Sequence, residues 1–121
     1  MPSTTISAAI DLPWPDRRLS PNSRVHWAQK ASASKKARVD AAWLAREAGL
    51  QGMNADAIKA TIIFSPKTCR AYDLDNALAS LKPAIDGIAA VVGVDDSKWD
   101  FELCRGIPGK GGVKIVLEAV S

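Results

Sequence analysis

Apolar and polar positions alternate from residue 5 to residue 12, where Ile6, Ala8, Ile10 and Leu12 recur at period two. This predicts a half-buried strand, ended by Pro13-Trp14-Pro15. Residues 16–27 show no periodicity and read as a basic surface loop. From about Ala28 to Ala48 there is no Gly or Pro, alanine is abundant, and Val39, Ala42, Trp43 and Leu50 recur at three- and four-residue steps. A helix is predicted there, stopped by Gly49 and Gly52. A second strand follows over residues 57–65, with Ile58, Ala60, Ile62 and Phe64 on one face. Leu74, Leu78, Leu81, Ile85, Ile88 and Val92 then mark a second amphipathic helix, in which Pro83 should force a bend or a restart before Gly93 closes the segment. Trp99, Phe101 and Leu103 alternate, as do Val113, Ile115 and Leu117, and the glycine-rich stretch between them predicts a hairpin. The order is β-α-β-α-β-β, which predicts one α+β domain with a small mixed sheet covered by two helices.

At 121 residues the chain is one domain by size, and 47% hydrophobic with 24% charged residues is too balanced for disorder. No apolar stretch approaches the roughly 20 residues of a membrane span. The N-terminus lacks a basic segment followed by a continuous apolar one, so a cytosolic protein is expected. Two cysteines, Cys69 and Cys104, are too few for a disulfide framework or a four-ligand zinc site, and His26 as the one histidine argues against a histidine metal site or triad. The net charge of +3 conceals an asymmetry: residues 1–70 carry eleven Lys/Arg against five Asp/Glu, and residues 71–121 carry five against eight. Two differently decorated solvated faces would account for this, and so would a polyanion partner. The cations Lys30, Lys35, Lys36 and Arg38 crowd the first half of the first helix, where the macrodipole gives them no help, so a phosphate-facing role gains weight.

The densest chemical signal is Asp73-Leu74-Asp75-Asn76, followed about twenty residues later by Asp95-Asp96. A carboxylate where a helix begins can serve as its cap, but capping needs only one. Together the four form a set of oxygen donors suited to a hard divalent ion such as magnesium, although acidic pairs are also common in turns. Trp14 and Trp27 are candidates for stacking on unpaired bases, with ordinary packing as the alternative. His26 reads as a polar loop residue or a phosphate contact.

Five segments in this order resemble the RusA family of Holliday junction resolvases, small endodeoxyribonucleases of bacteria and their phages. They are Leu12-Pro13-Trp14-Pro15, Asn22 to Trp27, Asp73-Leu74-Asp75-Asn76, Lys82-Pro83-Ala84-Ile85-Asp86-Gly87 and Val94-Asp95-Asp96-Ser97, and the resemblance covers nearly the whole chain as one domain, residues 1–121. It implies magnesium-dependent cleavage of four-way DNA junctions by a homodimer, with three aspartates and a lysine at each active site. Carried over, the first two aspartates are Asp73 and Asp75, and the third is Asp96, with Asp95 as the alternative. The lysine is Lys82; some members have it four residues beyond the second aspartate, where this chain has Ala79. Lys82 stands about two helical turns from Asp75 and so shares its face, while an exposed pair with Asp86 is the competing role. Asn76 would support ligand orientation. Arg17, Arg18, Arg24, Lys30, Lys35, Lys36 and Arg38 are the candidate DNA-binding surface. Trp99, Phe101 and residues 88–92 are candidate apolar material for the dimer interface. Competing classes are another metal-dependent nuclease or phosphatase, and a non-catalytic DNA-binding module whose aspartates only cap the helix.

Overall fold

A computed structural model describes residues 7–53 and 55–120. Ile6 and the predicted start of the first strand lie outside the described residues. The chain forms β1 (Ser7–Pro13), a 3-10 turn (Arg17–Leu19), α1 (Trp27–Glu47), β2 (Ala57–Ser65), α2 (Leu74–Val92), a second 3-10 turn (Asp96–Lys98), β3 (Trp99–Arg105) and β4 (Gly112–Val120). This is the predicted α+β order with a mixed sheet and two helices. Among the described residues no helix is long and apolar enough to cross a membrane.

The sheet order is β1-β4-β2-β3, so β4 lies between β1 and β2, antiparallel to both, and β3 runs parallel to β2. The predicted β3–β4 hairpin is therefore wrong. Both strands pair with β2 instead, and the glycine-rich segment between them arches over the end of β2, held where the Gly106 amide donates to Phe64 O and the Gly109 amide to Pro66 O, each at 2.7 Å. Alternation predicts that these stretches are strands and leaves open which strand each pairs with, because a parallel β2-α2-β3 crossover and a local hairpin present the same period.

Period two does place the core correctly. Ile58, Ala60, Ile62 and Phe64 of β2, with Ile10, Leu12, Val113, Ile115 and Leu117, are all buried on one face of the sheet. Against them α2 lays Leu81, Ile85, Ile88 and Val92. The helix continues without interruption through Pro83, contrary to the expected bend or restart, because buried Ser80, Leu81, Ala84 and Ile85 hold both flanks of the proline against neighbouring structure. One missing backbone bond is outweighed by that packing.

The face predicted for α1 is also corrected. Val39 and Trp43 are 55% and 60% exposed, and the buried positions are Ala33, Ala41 and Ala45. Alanines face inward because α1 lies close against α2. At Gly87 of α2 a Cβ would overlap the Arg38 carbonyl oxygen of α1 and come within 3.0 Å of its carbon. Gly87→Ala is expected to cost about 1–3 kcal/mol through this backbone overlap, seen as a lowered midpoint in thermal denaturation; an unchanged midpoint would show that the helices separate freely. Ile88, Val91, Val92 and Trp99 likewise belong to the core, so most of the apolar material assigned by sequence to a dimer interface is already covered within one chain.

Candidate active site

The start of α2 answers which aspartate caps it. Asp73 is the N-cap, extended at φ −96° and ψ 125°, and its Oδ1 accepts from the Asp75 amide at 2.8 Å. Asp75 then lies exposed in the first helical turn, where the positive end of the helix dipole favours a carboxylate. Among the described residues its carboxylate accepts no hydrogen bond and joins no ion pair. Local structure thus engages one oxygen of Asp73 and leaves the Asp75 carboxylate open to a ligand.

The other end of α2 is closed by Gly93 in the left-handed conformation. Beyond it, the buried Trp99 ring donates from Nε1 to Val94 O at 2.9 Å, anchoring the turn that carries Asp95 and Asp96. Here the two acids take different tasks. Asp95 caps the 3-10 turn, accepting from the Ser97 amide at 3.1 Å, and Ser97, then Lys98 and Lys82, hold its carboxyl below the usual carboxylate range. Asp96 forms an ion pair with Lys82, whose ammonium lies 5.8 Å from the centre of the Phe101 ring. Lys82 therefore turns toward Asp96 across the fold, not toward Asp86 along its own helix. Nothing local in the sequence marks Phe101 as a neighbour of this pair; its place beside Lys82 follows from the pairing of β3 with β2.

Asp75 and Lys82 share one stripe of α2, about 10 Å apart along the helix axis at 1.5 Å per residue. The structure thus sets a carboxylate pair, Asp73 with Asp75, at one end of the stripe and the Lys82–Asp96 pair further along. Among the described residues no three His, Cys, Asp or Glu side chains stand together as a metal cluster. Magnesium needs only one or two carboxylates and keeps several waters. The donor chemistry of Asp73 and Asp75 fits that ion, while the charge of Asp96 is engaged by Lys82.

Of the seven candidate DNA-binding cations, the fold brings Arg17 to this end of α2. Arg17 and Ser20 line a groove of about 310 Å³ together with Tyr72, Asp73 and Asn76. Arg18 is turned to Asp16 at 2.9 Å, and its guanidinium holds the Asp16 carboxyl down at about 2. Lys36 pairs with Asp40 at 2.7 Å, and the Lys30 ammonium donates to Ser20 O at 3.3 Å. Arg24, Lys35 and Arg38 are exposed. His26 has a structural task that its loop setting did not disclose: its Nδ1 accepts from the Ala28 amide at 3.1 Å and caps α1. Trp14 packs edge-on against Phe64 and Tyr72, with ring centres 6.0 and 5.4 Å away, so its role is packing, whereas Trp27 is 75% exposed.

No protein-family model matches the chain. Over 94 residues, 75% of its length, it is 43% identical to an uncharacterized protein of Xylella fastidiosa. The aligned stretch is 61% of that relative, so the chain spans about three-fifths of the protein it matches. Among solved structures, the IspF (Plasmodium falciparum) CDP complex aligns over 97% of this chain and 96% of that one, at 9% identity and a TM-score of 0.34, too low for fold or site to be transferred.

Proposed function

We propose that the protein is a magnesium-dependent endodeoxyribonuclease of the RusA kind, resolving four-way DNA junctions by paired nicks as a homodimer. The observation that carries this reading is the unengaged Asp75 carboxylate next to Asp73, which itself lines a groove shared with Arg17. A helix that needed only a cap has one in Asp73, so Asp75 is available for chemistry. Arg17 would bind a backbone phosphate and orient the diester against the start of α2. Asp73 and Asp75 would hold magnesium, which supplies Lewis-acid charge and a water of lowered pKa for phosphodiester hydrolysis. Lys82, steadied by Asp96, places fixed positive charge further along the same face, where negative charge growing in the transition state can be met. Asn76 in the same groove would orient the ligands.

Two symmetric cuts across a branch point require two such sites, and a two-fold dimer is the commonest way for a small chain to supply them. A synthetic four-way junction and a matched linear duplex, incubated with the purified chain with and without magnesium, test the reading. Paired nicks in the junction that require magnesium are expected, with a dimeric mass by light scattering. Equal cutting of the linear duplex would favour a general metal-dependent nuclease. Binding without cleavage in any divalent ion would favour the DNA-binding module.

A further inference from the structure

We propose that Arg70 and Arg105 form an anion site for a DNA backbone phosphate neighbouring the scissile one, in a cleft that shares Tyr72 with the groove of Arg17. This deepens the nuclease reading and rests on it. The two arginines are far apart in sequence, and strand pairing joins them. Parallel register sets Arg105 beside Phe64 near the end of β2, and the loop leaving β2 carries Arg70 toward α2. The Gly106 and Gly109 amides bonded to Phe64 O and Pro66 O hold the exit of β3 against that loop. At Gly106 a Cβ would come within 2.3 Å of the Ser65 hydroxyl oxygen and 2.8 Å of an Ile63 methyl, so a larger residue there would have to displace both side chains.

The result is a cleft of about 220 Å³ lined by Arg70, Arg105, Tyr72, Cys69, Pro66 and Gly106 among others, and no acidic residue lines it. The Arg105 guanidinium lies over the Tyr72 ring, 4.7 Å from its centre, and its Nη1 donates to Tyr72 O at 3.3 Å. Stacking and that one bond orient a fork whose other donors are available to a phosphate. Among the described residues neither Arg70 nor Arg105 takes part in an ion pair, whereas Arg18 and Lys36 of the predicted basic face each have a carboxylate partner. Lys67 adds a further cation in an adjoining cleft of about 390 Å³ that shares Arg70 and Tyr72. Tyr72 also borders the groove of Arg17 and directly precedes Asp73. A strand bound across the start of α2 would therefore meet the cations of both clefts, which Tyr72 joins.

The experiment is a salt titration of four-way junction binding in EDTA, using the full chain and the variants Arg70→Gln, Arg105→Gln and Arg105→Lys. Each Gln variant is expected to bind more weakly at low salt and to lose about 0.9 from the magnitude of the slope of log K against log salt, as for one duplex phosphate contact removed. Arg105→Lys, which keeps the charge without the planar fork, is expected to keep the slope and lose part of the affinity. Wild-type binding with an unchanged slope in both Gln variants, whatever their affinity, would overturn the proposal. Absence of DNA binding by the wild type would instead remove the nuclease reading, and the proposal with it.

Discussion

Asp75→Asn is expected to lower magnesium-dependent junction cleavage by a factor on the order of 100 or more, a loss that even the outer supports of metal ligands can bring, while binding stays intact or tightens. The reason lies in the division of work at the start of α2. Asp73 accepts the amide of Asp75, so the cap survives the substitution. The only structural loss is the interaction of one exposed carboxylate with the helix dipole, about 0.3–1 kcal/mol. Asn keeps the size of the side chain and removes its charge, which weakens metal ligation and relieves repulsion toward phosphate. Cleavage rate, mobility shift and melting midpoint should be followed on one preparation. A parallel fall in cutting, binding and stability would mean that Asp75 is structural and that metal chemistry lies elsewhere.

The same division shows what could be read from the chain before folding. The acidic motif at residues 73–76 and the helix it opens are local features, and the structure places them as expected. Which acid is engaged and which is free depends on one rotamer and one amide, and composition carries no trace of either. For Asp95 and Asp96 the assignment depends on the turn anchored by Trp99, whose indole is tied to Val94 O. Strand faces were legible because burial on one side of a sheet imposes period two, and Ile58, Ala60, Ile62 and Phe64 obey it.

The α1 face was not legible for a physical reason. Large apolar residues ordinarily point inward, but α1 comes so close to α2 that its backbone at Arg38 meets Gly87, and the buried positions of α1 are alanines while Trp43 stays outside. Pairing partners were lost for a similar reason: β3 joins β2 through a long crossover, and nothing local distinguishes that from a hairpin. The sequence carries no signal for Arg105 either, because its meeting with Tyr72 and Arg70 exists only through that parallel pairing.

Lys82→Ala is expected to lower cleavage on the order of 100-fold, the scale for removing a single group that stabilises transition-state charge. Its effect on stability should be small, because the Lys82 and Asp96 side chains are 44% and 23% exposed and solvent screens their attraction. Pairs of this kind contribute about 1 kcal/mol or less. The ion pair predicts more than the single variant does. If Lys82 acts through its charge and Asp96 acts by steadying it, Asp96→Asn should also slow cleavage, and the double variant should be little slower than Lys82→Ala alone. Groups that work as a unit are non-additive in this way. Multiplied losses would show instead that Asp96 has a task of its own, such as joining Asp73 and Asp75 at a metal once Lys82 releases it. An unchanged rate in Lys82→Ala would remove the lysine from the chemistry and leave a half-exposed ion pair beside Phe101 as its whole role.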